Sequence, residues 1–283
     1  MSRQRNRPIS ARAGAGILYI LMALIVVYSI LPVVWMALIA LQPPAASMTG
    51  GGIFDLSRWT LENFPAVDRL TPIWTNIGNS LFTTIIGTVT TLFFCSLAGF
   101  AFAKINFPGR NVLFYGLIAT MLVPPEVAIV PLFMVMTNLG LANSLWALII
   151  PKMATAVGIF YMRQYIEAVP DEVIEAARID GCGPFRTYLN IVLPMIGPGL
   201  AVWATLTVIA RWNDFFWPLV FLRTGDKYTL MQAISLLPVG EGLSTPWPII
   251  MAGTSIAIIP PVVGYIIFQQ FQKADMTAGA VKG

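Results

Sequence analysis

The chain has 283 residues, of which 57% are hydrophobic and 11% charged, and its mean hydropathy of +0.76 lies outside the range of soluble globular proteins. This length allows several membrane spans with their loops but no separate large soluble domain. The net charge of +4 comes from basic residues spread through loops and tails rather than from one basic face with exposed aromatic residues, which argues against nucleic-acid binding.

A basic N-terminal tail precedes the first hydrophobic segment. Residues 1–16 contain no acidic residue and carry the arginines Arg3, Arg5, Arg7 and Arg12. The apolar run at residues 17–41 is about 25 residues long, which is enough to cross a bilayer and too long for the core of a signal peptide. We therefore expect a cytoplasmic tail and a first transmembrane helix that is ended by Pro43 and Pro44.

The next segment, residues 42–75, has the composition of a loop. Three consecutive glycines stand among scattered charged residues, without the apolar length of a membrane span. We expect an external loop with one short helix over residues 61–64. Its position places it to touch a partner outside the cell.

Five further hydrophobic segments are long enough to cross the membrane: residues 78–103, 112–137, 145–166, 195–221 and 251–271. Together with the first helix they predict an all-α, polytopic membrane protein with about six transmembrane helices. Residues 76–271 form the predicted core, and residues 272–283 form a C-terminal tail.

The basic residues predict the orientation of these spans. The connections assigned to the cytoplasm hold Lys104, Arg110, Arg163, Arg178, Arg186, Lys273 and Lys282. Cytoplasmic loops of membrane proteins are enriched in lysine and arginine, so both termini are expected in the cytoplasm. Residues 138–144 then form a tight external turn, and residues 222–250 form an ordered external loop.

A charged, small-residue island interrupts the hydrophobic segments at residues 170–198 and is termed the docking segment. Pro170 fixes the backbone for a helix start, acidic residues follow at the positive end of the helix dipole, and Gly181 predicts the end about three turns later. Pro184 predicts a second short helix, and Pro194 marks the turn into the next span. The segment is therefore predicted to be a bent helical surface for a partner protein.

Two kinds of side chain suit such a surface. Small residues would let the backbone of a partner approach closely, namely Ala176, Ala177 and Gly181. Apolar residues would supply buried contact, namely Val173, Ile174 and Ile179.

The order of residues in the docking segment carries a resemblance to a known family. It reads Glu175-Ala176-Ala177, then Asp180-Gly181, then Ile191 and Leu193-Pro194. At this spacing it resembles the cytoplasmic EAA loop of bacterial ABC-importer permeases. Residues 212–219 (WNDFFWPL) and 277–283 (TAGAVKG) resemble the carbohydrate-type, maltose-permease-like branch. The resemblance covers most of the chain from about residue 76, and Cys182 stands where the family more usually has alanine.

The resemblance implies a function and a set of partners. The fold would be that of a type I ABC importer permease in the bacterial cytoplasmic membrane. The partners would be two copies of an ATPase subunit, a second homologous permease, and an extracytoplasmic binding protein that delivers a sugar or related polar solute. The C-terminal tail would reach toward the ATPase. This chain lacks a Walker sequence, so it is not expected to be an enzyme or to bind a cofactor, and ATP and Mg²⁺ are expected on the ATPase.

The resemblance also assigns coupling to the ATPase to particular residues: Glu175, Ala176, Ala177, Arg178, Asp180, Gly181 and Pro194. Glu175 is expected to present its carboxylate to a basic group of the ATPase, and Asp180 to cap or brace the turn at Gly181. For Arg178 three partners stay open: Glu175, Asp171 and the ATPase.

Polar residues inside the apolar spans define a candidate solute pathway, because such groups are costly in lipid. The charged or strongly polar ones are Glu126, Lys152, Arg211, Asn213 and Asp214, and all of these but Arg211, together with Trp212, make up the candidate pathway. Glu126 follows Pro124-Pro125 and either lines the pathway or belongs to a proline kink. Arg211 and Asp214, at positions i and i+3, are expected to form a bracing ion pair. For the tryptophans nearby, the membrane interface is a commoner explanation than sugar stacking.

Two other functional classes stay open. An ion-driven secondary transporter needs a relay of intramembrane acids, for which only Glu126 and Asp214 qualify. An integral-membrane transferase acting on lipid-linked sugar needs clustered acids that hold a metal. The chain has no histidine, and Cys95 and Cys182 are not expected to pair, so no catalytic site, metal site or disulfide framework is predicted.

Overall fold

The computed structural model describes residues 9–44, 54–237 and 246–280, and the regular structure within these ranges is helical, without strands. The chain divides into two compact units, residues 1–70 with 238–256 and residues 71–237 with 257–283. The second unit contains the docking segment and the intramembrane polar residues.

The first unit is built on one long apolar helix, α1 (Ile9–Ala40), which begins earlier than the predicted span at residue 17. The side chains of residues 17–35 are exposed on this chain, as expected of a helix that faces lipid or another membrane protein. After α1, a 3₁₀ turn at Leu56–Arg58 precedes α2 (Asn63–Leu70).

The start of α2 closes the end of α1. The side-chain amide of Asn63 donates to the carbonyls of Ala40 and Gln42, at 2.8 and 2.6 Å. These bonds satisfy backbone acceptors that the last turn of a helix leaves unpaired. A short helix is therefore present as predicted, but it spans Asn63–Leu70 rather than residues 61–64.

The helices of the second unit are α3 (Ile73–Lys104), α4 (Arg110–Thr120), α5 (Ile129–Asn138), α6 (Trp146–Ile149), α7 (Ala156–Glu167), α8 (Asp171–Ile179), α9 (Pro184–Thr187), α10 (Leu193–Met195), α11 (Gly197–Trp212), α12 (Phe216–Phe221) and α13 (Leu230–Ser235). The last helix, α14 (Trp247–Ala280), passes from the first unit into the second at Ala257. Residues 281–283 of the predicted tail lie outside the described residues.

The core of the second unit forms where α3 meets α7 and the end of the docking segment. Buried side chains of α3 and α7 pack there, among them Phe100 and Met162. Tyr188, in the π-helical turn Tyr188–Val192, is fully buried in the same cluster. Its hydroxyl lies 2.8 Å from Oγ of Ser96 on α3. The docking segment is therefore continuous with the core through its C-terminal part.

Prolines break several predicted spans. Residues 112–137 form α4 and α5, which meet at 92° around a 3₁₀ turn, Pro125–Ala128. Residues 145–166 form α6, a second 3₁₀ turn at Ile150–Lys152, and α7. Because proline lacks a backbone donor and clashes with the preceding turn, a continuous helix is not maintained at these positions.

These breaks change the count of spans. Within the described residues, the helices long and apolar enough to cross a membrane unbroken are Gly16–Ala40, Ile73–Lys104 and Trp247–Ile267. Two bent pairs raise the number to 5 if each pair is one span. The prediction of about six counted residues 145–166 as a continuous helix, which Pro151 interrupts.

Candidate functional site

The first helix of the docking segment begins and ends where the sequence predicts. Pro170 precedes α8, and Asp171 and Glu172 occupy its first turn. Gly181 has a φ of +78°, in the left-handed region that glycine adopts without strain. Backbone bonds from Gly181 to Arg178 and from Cys182 to Ala177 then close the helix as a Schellman motif.

The two faces of α8 have different surroundings. Ile174 and Ala177 are buried within this chain, with 7% and 4% of their surfaces exposed. Glu175, Ala176 and Ile179 point outward, and Ile179 is 86% exposed. The helical period therefore turns Ala177 and Ile174 toward the core of this chain, and a contact of Ala177 with a partner stays a prediction.

The remaining predicted coupling residues lie at different depths. Arg178, Asp180 and Gly181 are exposed at the end of α8, and the backbone N–H of Asp180 donates to Ala176. Pro194 is exposed but belongs to α10, at the far end of the docking segment. Of the predicted coupling residues on and just after α8, Glu175, Ala176, Arg178, Asp180 and Gly181 are therefore exposed and form its outward patch, while Ala177 is buried.

Asp171 at the start of α8 has a partner that the sequence did not indicate. Its carboxylate accepts from Nζ of Lys104 at 2.7 Å. Of the partners left open for Arg178, Asp171 is thus engaged elsewhere. The sequence pattern indicates only a role in membrane orientation for Lys104.

A second group of polar side chains, termed the polar cluster, comprises Thr91, Lys152, Arg211 and Asp214. Nζ of Lys152 lies 2.5 Å from Oδ2 of Asp214, with 29% and 15% of the two side chains exposed. The ammonium also lies 4.9 Å from the centre of the Trp217 ring, a cation–π geometry. Asp214 therefore forms its ion pair with Lys152, and the expected pair with Arg211 is wrong.

Arg211 instead holds the backbone around the proline break. Its guanidinium donates to the carbonyls of Leu148 and Lys152, at 3.3 and 2.9 Å, and to Oγ1 of Thr91 at 2.9 Å. Pro151 frees carbonyls of the interrupted helix, and buried carbonyls need a donor. Arg211 thus supplies hydrogen bonds that the broken helix lacks.

A cavity of about 430 Å³ adjoins the polar cluster. It is lined by Thr91, Pro125, Lys152, Thr155, Val157, Trp203, Leu206, Thr207, Ala210 and Arg211. The indole of Trp203 stacks on Tyr161, with ring centres 5.3 Å apart and planes at 22°. The cavity therefore combines polar side chains with an aromatic one.

The predicted pathway residues are not all at this cavity. Lys152 lines it, whereas Asp214 does not line it but forms an ion pair with Lys152. Glu126 is exposed beside Pro125, at the bend between α4 and α5. Asn213 caps the end of α11 by donating to Ile209. Trp212 is buried and donates to the carbonyl of Ala257 on α14, so it braces two helices.

Residues 222–237 of the predicted external loop are held by α3, and residues 247–250 of it belong to α14. Side-chain amides of Asn76 and Asn79 both donate to the carbonyl of Tyr228, at 3.0 Å each. Asp226 is exposed at the tip, and a hydrogen bond from Thr224 lowers the pKa of its carboxyl. The prediction of an ordered loop is confirmed for these residues, and residues 238–245 lie outside the described ranges.

Comparisons with known proteins agree on one family. The model of the family "Binding-protein-dependent transport system inner membrane component" matches residues 95–277. The arabinooligosaccharides transport system permease protein AraQ of Halalkalibacterium halodurans is 36% identical over 264 residues, 92% of this chain and 94% of that protein. The sn-glycerol-3-phosphate transport system permease protein UgpE of Shigella flexneri is 36% identical over 203 residues, 70% of this chain and 71% of that protein.

A solved structure gives the same assignment. A chain from the crystal structure of a bacterial ABC transporter involved in the import of the acidic polysaccharide alginate superposes with a TM-score of 0.81. It is 25% identical, and the match covers 93% of this chain and 98% of that chain. This chain therefore belongs to the family of binding-protein-dependent transport system inner membrane components, and it is a permease subunit of an importer of this kind.

Proposed function

We propose that this permease subunit carries a sugar or related polar solute and that a separate ATPase drives it through the docking segment. The observation that carries the coupling proposal is the outward patch of α8. Glu175 and Ala176 stand exposed on a helix whose opposite face is buried in the core. An exposed carboxylate beside a small residue suits a close, charge-paired contact with a basic groove.

The cavity beside the polar cluster supports a polar solute. Its volume of about 430 Å³ falls within the usual range for small-molecule sites. The charge of Lys152 is matched by Asp214, whereas Arg211 keeps its positive charge and donates to backbone carbonyls and Thr91. An aromatic wall beside one unmatched cation suits a hydroxyl-rich ligand, with or without an anionic group. The names of the relatives, which include an arabinooligosaccharide permease, support the same class.

The proposal includes the wider assembly. Two ATPase copies would bind ATP and Mg²⁺, a second homologous permease would complete the pathway, and an external binding protein would deliver the solute. Both termini of this chain would lie in the cytoplasm, as the distribution of basic residues predicts. Closure of the ATPase pair would then move the docking segment and switch the helices between two arrangements.

Purification of the chain from its native membrane, followed by ATPase assays, tests this proposal. We expect an ATP-binding subunit to co-purify, and we expect hydrolysis to rise when binding protein is added with one of three probes: arabinotriose, sn-glycerol 3-phosphate or an alginate oligosaccharide. Glu175→Lys should abolish the stimulated hydrolysis because it reverses a charge at the contact. Glu62→Lys, an exposed charge reversal outside the docking segment, is the matched control, and its ATPase co-purification and its hydrolysis without binding protein should equal those of wild type.

Different results overturn different parts of the proposal. If no ATPase co-purifies, the coupling proposal is wrong. If the ATPase is present but none of the three probes stimulates it or is taken up, the proposed solute class is wrong. Stimulated hydrolysis by Glu175→Lys within about twofold of wild type would remove the outward patch of α8 from the coupling contact.

A further inference from the structure

Lys104 is a charged residue whose side chain is almost fully buried, with 7% of its surface exposed. It occupies the last turn of α3. Its ammonium donates to the carbonyl of Val169 at 2.6 Å, to the carbonyl of Glu167 at 3.3 Å, and to Oδ1 of Asp171 at 2.7 Å. An ammonium has three donors, and all three have an acceptor here.

These acceptors belong to two other helix ends. Glu167 is the last residue of α7, and Val169 lies two residues beyond it. Their carbonyls are therefore at the negative end of the dipole of α7, where a cation is favourable. Asp171 is the first residue of α8. One ammonium therefore ties together the end of α3, the end of α7 and the start of α8.

The same helix α3 also reaches the polar cluster. Thr91 on α3 accepts from Arg211 and donates to the carbonyl of Lys152. Between Thr91 and Lys104 the helix is unbroken, and Phe100 and Cys95 on it are buried in the core. A helix tied in this way near its middle and at its last turn transmits displacement between the two points as a rigid body.

We propose that Lys104 is the positioning residue that transmits movement of the docking segment to α3 and so to the polar cluster. The inference rests on the proposed coupling function of the docking segment. Without the ammonium, α8 keeps its outward patch and its buried contacts, but it can pivot at Pro170 relative to α3. ATP hydrolysis then continues, but fewer solute molecules are transported for each ATP hydrolysed.

The test measures molecules of probe transported per ATP hydrolysed, in proteoliposomes that contain the complete complex and its binding protein. The probe is whichever of arabinotriose, sn-glycerol 3-phosphate or alginate oligosaccharide stimulates wild-type hydrolysis most. Lys104→Met should lower the ratio at least about fivefold, the low end of typical coupling between sites, with unchanged co-purification of the ATPase. Lys104→Arg keeps charge and donors and should restore most of the ratio.

Two further variants separate transmission from simple helix capping. Arg110→Gln removes a cation that bonds to Asn106 and Ile105, near the same end of α3, and should leave the ratio unchanged. Asp171→Asn removes an exposed charge but leaves both carbonyl bonds of Lys104, so the fold is retained and the ratio should fall by a smaller factor. A capping role alone would lower the yield of complex without changing the ratio.

An unchanged ratio in assembled Lys104→Met complexes would overturn the inference. If that variant does not assemble, an unchanged ratio for Asp171→Asn would overturn it instead. If the proposed function is wrong, the wild-type complex itself will transport the probe without ATP. That result would also remove this inference.

Discussion

Arg211 shows how this protein keeps a charged side chain among apolar helices. Its three acceptors are two backbone carbonyls at the break around Pro151 and the hydroxyl of Thr91. Gly87 on α3 makes room for it, since a Cβ at this position would lie 2.6 Å from Cζ of the guanidinium. The buried charge of Arg211, the helix break around Pro151 and the small residue Gly87 therefore depend on one another.

The first prediction concerns this space. Gly87→Ala should push the guanidinium away from its acceptors and destabilise the chain by about 2 kcal/mol, the size of one hydrogen bond to a charged group. Gly78→Ala on the same helix is the control, because a Cβ there has nothing within 4 Å. It should be neutral or stabilising by up to about 1 kcal/mol, through helix propensity. Thermal unfolding in detergent compares the two, and equal stability would contradict the space requirement.

The second prediction concerns the ion pair of Lys152 and Asp214. Lys152→Met and Asp214→Asn should each lower stability, because each leaves a partly buried charge without its partner. The double variant should cost less than the sum of the single ones, with a coupling energy of about 1 kcal/mol or more. A coupling energy near zero would show that the ion pair contributes nothing to the stability of the folded chain. The same cycle for Arg211 and Asp214 should give the smaller coupling.

At the scale of elements, sequence signals were reliable where they are local. Pro170 and Gly181 mark the bounds of α8 because a proline start and a left-handed glycine stop act within a few residues. The pairs of Lys152 with Asp214 and Lys104 with Asp171 join residues 62 and 67 apart, and no local pattern encodes them. The inward direction of Ala177 could have been read from its helical spacing to Ile174, which also faces the core.

The third prediction separates the two faces of α8. Ala177→Leu should overpack the core and destabilise the chain by about 1–3 kcal/mol, because Ala177 is buried. Ala176→Leu should leave the stability of the purified chain unchanged and weaken ATPase co-purification, because Ala176 is exposed. Thermal unfolding and pull-down of the ATPase give the two readouts. The reverse pattern would mean that α8 is rotated relative to the structure described here.

At the scale of the whole molecule, the class of fold followed from composition, while the number of continuous spans did not. Apolar runs predicted α3 and α14 to within several residues, because a membrane helix is a long, uninterrupted signal. Residues 145–166 are equally apolar, but Pro151 divides them. Composition alone therefore misses breaks such as the one at Pro151, and a proline inside a span is not sufficient for a break, since α1 and α14 continue through Pro32 and Pro260–Pro261.

The fourth prediction concerns orientation. In a Cys182→Ser background, Ser57→Cys should react with a membrane-impermeant maleimide in intact cells, because residue 57 is exposed in the predicted external loop. Ser2→Cys should react only after the cells are permeabilised, as the basic N-terminal residues predict. Labelling of Ser2→Cys but not Ser57→Cys in intact cells would reverse the orientation.

We propose that transport through this permease is driven by ATP hydrolysed on a partner. The most direct measurement is uptake of the stimulating probe into vesicles that hold the complete complex, with ATP or a non-hydrolysable analogue present and with ionophores that collapse proton and sodium gradients. We predict uptake that requires hydrolysable ATP and is insensitive to the ionophores. Uptake that continues without ATP and stops when the gradients collapse would rule out the proposed ATP coupling and identify an ion-driven transporter.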